Sequence, residues 1–190
     1  MLPRPGKVRQ INRPRLPICW KFAADSLTIM ANPYTLELVQ ALPTSGARAA
    51  AAFTIGNRQF LAIPQLAEDI PGAPRGMNLG NSDVQLIIYH MNKDYHFEEW
   101  QRLPVPGGED AEFFSIEGRH FLATASLRSG KGPYNLEDIV SVIFEWQDEK
   151  FIPFQTIPTF AAKQWRYFTF ADRHFLALAQ GVTVDRKSVV

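Results

Sequence analysis

Four histidines, a single cysteine and paired acids such as Glu98-Glu99, Glu109-Asp110 and Asp148-Glu149 are residues whose types could do chemistry in this sequence. Histidine catalysis needs a nucleophile or carboxylate held beside the ring. His120 and His174 occupy matching places, in Arg119-His-Phe-Leu-Ala123 and Arg173-His-Phe-Leu-Ala177, while Gln59 replaces them in Arg58-Gln-Phe-Leu-Ala62. A residue that recurs with a strand pattern reads as structural rather than catalytic. His90 and His96 belong to no catalytic motif. Glu98-Glu99, Glu109-Asp110 and Asp148-Glu149 each border a turn or strand edge and read as solvated charge. There is no Gly-x-Ser-x-Gly elbow, phosphate-binding glycine loop or His-Glu-x-x-His. Cys19 alone excludes an internal disulfide and cannot build a thiolate metal site. The expectation is a non-enzyme without cofactor or metal.

What positions these residues is a repeat. Asp110 to Ala125 alternates as two short strands about a Glu117-Gly118 turn, where glycine supplies the positive φ of a tight hairpin. Phe53 to Ala62 and Phe168 to Ala177 repeat it, so the second Phe recurs at Phe60, Phe121 and Phe175, 61 and 54 residues apart. Gln40, Gln101 and Gln155 each stand 20 positions before that Phe. Pro43, Pro104 and Pro158 follow each Gln by three, and Arg58, Arg119 and Arg173 precede each Phe by two. A fixed internal register in three copies marks a repeat architecture.

Along the chain, Met1 to Asp25 carries Pro3, Pro5, Pro14 and Pro17 and six basic residues against one acid, and reads as an extended basic arm (1–25). Ser26 to Met30 and Tyr34 to Ala41 read as strands. The first unit then runs through Ala49 to Ile55, Arg58 to Pro64, Asp83 to His90 and Tyr95 to Arg102. The second runs through Asp110 to Ile116, Arg119 to Ser126, Ile139 to Trp146 and Lys150 to Ile157. The third supplies only Gln164 to Phe170 and Arg173 to Ala179, and a polar tail closes the chain (182–190). Four-stranded antiparallel units at this spacing are the signature of β-propeller blades. The fold expected over 26–181 is all-β: a partial propeller of about three blades, two complete and a half at each end. Its repeat core is Phe53, Phe60, Leu61, Phe114, Phe121, Leu122, Phe168, Phe175 and Leu176. Each Phe buried there is worth roughly 2–3 kcal/mol.

Phe154-Gln-Thr-Ile-Pro-Thr159, Trp165-Arg-Tyr-Phe-Thr-Phe170 and His174-Phe-Leu-Ala-Leu-Ala179 resemble the EPTP repeat, also called the epilepsy-associated or EAR repeat. Ser141-Val-Ile-Phe-Glu-Trp146 is similar to its third-strand motif. The resemblance covers about Leu36 to Gln180. The family includes leucine-rich glioma-inactivated proteins and a thrombospondin-type laminin G protein. It implies seven repeats closing a seven-bladed, non-enzymatic propeller that binds other proteins outside the cell. It also implies an Asp at the start of innermost strands, where carboxylates can hold a cation. Here that place is Ala49, Asp110 and Gln164, and one carboxylate is not a calcium cage.

The implied partner is a protein, a cell-surface receptor or matrix component, of an extracellular or secreted module; no secretory signal is visible in Met1 to Trp20. A net charge of +1 argues against a general nucleic-acid binder, and no apolar run reaches the ~18 residues of a membrane span. Recognition is expected on loops 65–82 and 127–136, through Pro71, Arg75, Met77, Arg128, Lys131 and Tyr134. A carbohydrate-binding or carbohydrate-processing propeller is the alternative, with Trp100, Trp146 and Trp165 as candidate platforms, although their places in the repeat favour packing. The terminal Lys187-Ser-Val-Val190 formally fits a PDZ ligand, a pattern common by chance. About three blades fall below the ~4 at which propellers close, so blade edges stay open. Either further blades lie in sequence beyond this chain, which the seven-repeat family favours, or chains self-associate through those edges.

Overall fold

The structure is a computed structural model that describes residues 18–24 and 34–181, apart from 77, 78, 133, 135, 137 and 138. The strand expected at Ser26–Met30, the loop residue Met77 and the Lys187–Val190 motif lie outside the described residues. Every regular element described is a strand, and all neighbours are antiparallel. β1 (Ile18–Ala24) pairs with β2 (Tyr34–Ala41). β3 (Ala51–Ile55), β4 (Arg58–Ile63), β5 (Gln85–Met91) and β6 (Phe97–Pro104) form a sheet in that order. β7 (Gly108–Ile116), β8 (Arg119–Ser126), β9 (Ile139–Gln147) and β10 (Lys150–Thr159) form a second. β11 (Ala162–Phe170) and β12 (Arg173–Gln180) pair as a final half-sheet. This is the all-β partial propeller of two four-stranded blades with a half-blade at each end.

One boundary differs. The basic arm does not run to Asp25, because Ile18–Ala24 is a strand and supplies β2 with its partner. The physical reason is local: the last arm proline is Pro17, so every residue from Ile18 to Ala24 has an N–H to give a ladder.

The hairpins form for the reasons their turns suggest. Glu117 and Gly118 take φ of +50° and +79°, the two left-handed residues of a type I′ turn, which sets Phe114 opposite Phe121. Ala171 and Asp172 do the same at +46° and +57° without a glycine, setting Phe168 opposite Phe175. Each outer strand carries a bulge one residue before its repeat glutamine. Val39, Trp100 and Phe154 are skipped in the pairing, so that Gln40, Gln101 and Gln155 face Cys19, Ile88 and Ile143.

The apolar core lies between sheets. One cluster joins Phe53, Phe60, Leu86 and Ile88 of the first blade to Leu122, Phe144 and Phe151 of the second. Another joins Phe114, Phe121 and Ile143 to Ala162 and Trp165 of the last half-blade. A third holds Leu42 against Ile63, Ile87 and Tyr89. Phe53, Phe60, Phe114, Phe121 and Leu122 are buried, and Leu61 is half-buried against the third cluster. Phe175 and Leu176 are only half-buried, and Phe168 is 48% exposed, so Phe168 is not core. Its half-blade has only the two inner-type strands, and among the described residues no sheet stacks on its far face.

Candidate functional site

The repeat glutamines are the first functional feature. At the joint between the two complete blades, Gln101 Nε2 donates to the Phe151 carbonyl at 2.8 Å and Gln101 Oε1 accepts from the Phe151 N–H at 2.9 Å. Gln40 does the same to Phe97, at 2.9 and 2.8 Å. One side-chain amide thus satisfies both backbone groups of the next blade's outer strand, which its own ladder leaves pointing outward. Gln155, the third copy, is exposed, and its amide has no hydrogen-bond partner among the described residues.

A second set of contacts ties the inner strands. Glu109 is buried and pairs with Arg48 Nε at 3.2 Å and Lys163 Nζ at 3.6 Å, residues that occupy the same repeat position in the flanking blades. Asp110 Oδ2 accepts from the Trp165 N–H at 2.9 Å, and Glu112 Oε1 accepts from the Tyr167 N–H at 2.9 Å. Reading Glu109-Asp110 as solvated charge is therefore corrected. The start of β7 packs between β3 and β11, where these carboxylates meet the neighbouring inner strand.

The two expected recognition loops form one surface. The Ser82 N–H donates to the Gly130 carbonyl at 2.8 Å, the Gly130 N–H to Asp83 Oδ1 at 2.8 Å, and Asn81 bridges Lys131. Gly107 is threaded between them: its N–H donates to the Ser82 carbonyl at 2.7 Å, and its carbonyl accepts from Leu127 at 2.9 Å. With φ of +52° and the Arg128 backbone packed where a Cβ would project, this position demands glycine. Pro71, Arg75 and Lys131 are exposed, Arg75 pairing with Asp69 at 3.1 Å. Arg128 is a correction: it is 4% exposed, donates from Nε to Ser82 Oγ at 2.8 Å and stacks its guanidinium 3.7 Å from the Tyr134 ring centre. Burial pushes its pKa down. Tyr134 is half-buried beneath it. Both residues fasten loop to loop.

The candidate chemistry does not assemble. Ser115 Oγ lies 2.8 Å from His120 Nδ1, but Thr54 and Gln59 make the matching cross-strand contact at 3.0 Å, so the pair is a repeat feature of the hairpin. His174 meets Tyr167 at 2.6 Å. Among the described residues no third group hydrogen-bonds either imidazole as a catalytic base would require. Among the described residues no three His, Cys, Asp or Glu side chains cluster as metal ligands. Trp165 is buried and donates to the Thr124 carbonyl at 3.0 Å, and Trp146 packs against Phe60 and Phe151. Trp100, 38% exposed, meets Phe60 edge-to-face and His90 at a tilt. Elsewhere, Arg119 binds Glu145 at 2.7 Å and holds its carboxyl below the usual range.

Against this geometry, the family model for the EPTP domain matches residues 36–73, 96–147 and 150–190. The chain belongs to the EPTP family. Each EPTP match opens at or beside Leu36, Phe97 or Phe151, the outer-strand residue four places before a repeat glutamine. The family unit is thus phased across the blade joint, where the glutamine clamp acts. The chain is also similar to the thrombospondin-type laminin G domain and EAR repeat-containing protein of Homo sapiens, 31% identical over 142 residues. The Mus musculus protein of that name is 28% identical over the same length. These matches cover 74% of this EPTP chain and 19% of each relative, so the chain spans about a fifth of their length. No helix among the described residues is long and apolar enough to cross a membrane.

Proposed function

We propose that this EPTP chain is a non-enzymatic, extracellular protein-interaction module of an adhesion or receptor-ligand protein, and that it meets its partner on the rim built from loops 65–82 and 127–136. The observation that carries the reading is the mutual fastening of these loops through Ser82, Gly107 and Gly130. Recognition surfaces gain affinity when loops are ordered before binding, because less conformational entropy is then lost. The exposed charges of Glu68, Asp69, Arg75, Asp83 and Lys131 give this rim a mixed polar face suited to a protein surface. Support for an extracellular setting comes from the relatives, whose names carry a laminin G domain beside the EAR repeats. The partner is a cell-surface receptor or matrix protein; no nucleic acid is involved and no membrane is entered. A carbohydrate site is disfavoured because Trp146 and Trp165, two of its three candidate platforms, are spent on packing.

The test is a panel of displayed cell-surface and matrix proteins probed with the chain and with an Arg75→Glu/Lys131→Glu variant. The variant should keep its melting midpoint and lose a bound partner by tenfold or more. Unchanged affinity would remove the rim from the argument, and turnover of any glycosidase or lyase substrate would overturn the non-enzymatic reading.

A further inference from the structure

We propose that Tyr95 is an acceptor for sulfate, converted to an O-sulfate ester by a sulfotransferase of the secretory route. The site lies away from the loop rim, at the far end of β5, and rests only on the extracellular part of the reading above. The other phenols set the comparison. Tyr89 Oη donates to the Pro43 carbonyl at 2.9 Å, and Tyr167 Oη lies 2.6 Å from His174 Nδ1. Tyr134 is half-buried under Arg128, its hydroxyl 3.5 Å from the Gly80 carbonyl. Each of these is held by the fold. Tyr95 is 75% exposed, and among the described residues its ring and hydroxyl meet no partner.

The backbone gives no reason for an aromatic here. The Tyr95 φ is +61°, in the left-handed region that glycine and asparagine enter more readily than a bulky side chain. Asn92 holds the turn. Its Oδ1 accepts from the Asp94 and His96 N–H groups at 2.9 and 3.0 Å, and the Tyr95 N–H donates to its carbonyl at 3.1 Å. An aromatic in a disfavoured conformation that contributes no packing points to a role outside the fold. Its exposure is a property of place, since outer strands stand on both sides of the turn's base. From β2, Gln40 grips Phe97, and toward the second blade Trp100 Nε1 donates to the Glu149 carbonyl at 3.1 Å. Lys93 to His96 remain exposed between them.

Charge selects the reaction. Asp94 adjoins Tyr95, and Glu98 and Glu99 follow it on β6; all three are exposed, Glu99 being shared with Arg102. Lys93 and His96 are the basic residues of the same stretch. An enzyme that handles an anionic phosphosulfate donor holds it with cationic side chains, and an acceptor segment rich in carboxylates complements such a cleft. The donor is a phosphosulfate anhydride. Tyr95 Oη attacks its sulfur, the Oη–S bond forms and the bond from sulfur to the phosphate oxygen breaks. The phenolic proton passes to a base of the transferase, and nothing is oxidised or reduced. The ester adds a fixed negative charge beside Asp94. It makes an acidic corner at the end of the first blade remote from loop 65–82, suited to a basic extracellular surface.

The test incubates the purified full chain with a tyrosylprotein sulfotransferase and a radiolabelled phosphosulfate donor, then maps the labelled peptides. One sulfate should enter, at Tyr95. Tyr95→Phe should abolish the label with the melting midpoint unchanged, and Asp94→Asn should slow labelling roughly threefold or more. Tyr167→Phe should leave the label in place. The native protein, captured from sulfate-labelled cells of its source, reads the same site in its own setting and should carry the ester. No label with the purified enzyme, label at another tyrosine, or an ester that a phosphatase removes would overturn the inference. So would native extracellular protein with a bare Tyr95, a result that leaves the extracellular reading standing. Native protein confined to the cytosol would overturn both.

Discussion

Replacing Gln101 by Ala removes two hydrogen bonds at once, and the structure provides its own control. Both bonds end on Phe151, a residue 1% exposed, so the loss falls at a sealed joint. At a net 0.5–1.5 kcal/mol per bond, the cost is roughly 1–3 kcal/mol. For a chain of this size that lowers the melting midpoint by about 2–12 °C, at 2–4 °C per kcal/mol. Gln155→Ala deletes the same side chain where no described residue receives it, and should stay within about 0.5 kcal/mol. Gln40→Ala should fall between them, because Phe97 is only half-buried. Gln101→Glu tests the chemistry further: a carboxylate cannot donate to the Phe151 carbonyl, so this variant should lose stability at neutral pH and recover some of it on protonation. Urea unfolding followed by tryptophan fluorescence measures all four. Equal costs for Gln101→Ala and Gln155→Ala would refute the clamp, since the two differ only in whether a neighbouring strand is present.

Phe121→Ala should cost roughly 3–5 kcal/mol through the cavity it leaves against Phe114 and Phe154, whereas Phe168→Ala, at a 48% exposed site, should cost under about 1 kcal/mol in the same assay. Gly107→Ala should destabilise by about 1–3 kcal/mol, because it forces a Cβ into a left-handed position already occupied by the Arg128 backbone; a neutral result in thermal unfolding would contradict the threading of Gly107 between the loops. Arg119 depresses the Glu145 pKa in the folded state, so the pair's contribution is complete above the unfolded value of about 4.3 and is lost as pH falls through the lower folded value. Unfolding midpoints followed from neutral pH downward should therefore drop more steeply for the parent than for Glu145→Gln, and parallel curves would count against the linkage.

The hairpins were legible because alternation and a left-handed turn are local properties, readable at Glu117-Gly118 from a few residues. The glutamines were visible as a spacing, yet their role was not. The bulges at Trp100 and Phe154 alter the pairing in a way that strand alternation does not announce. Burial of Glu109 and Asp110 was illegible for a related reason. Their partners, Arg48, Lys163 and the Trp165 amide, lie 54 to 61 positions away on other blades. Arg128 looked like a binding residue because it sits in a loop, and only the docking of loop on loop removes it from solvent. Phe168 erred the other way: its pattern matches Phe53 and Phe114, but burial needs a neighbour that its half-blade lacks. The strand at Ile18–Ala24 was hidden by its company, a short proline-free run joined to a proline-bearing one.

The shared Glu109 has a consequence for how such a chain can change over generations. Repeat genes grow and shrink by unequal exchange, which copies or deletes a unit whole. At this position the successive units carry a cation, an anion and a cation, Arg48, Glu109 and Lys163, and the anion touches both neighbours. Duplicating the middle unit would set two nearly buried glutamates side by side, while deleting it would leave Arg48 facing Lys163 with no anion between them. Either event leaves the remaining units with the strands, turns and aromatics of the pattern and still mismatches their charges. The three units therefore resemble one another as structures but do not commute as parts.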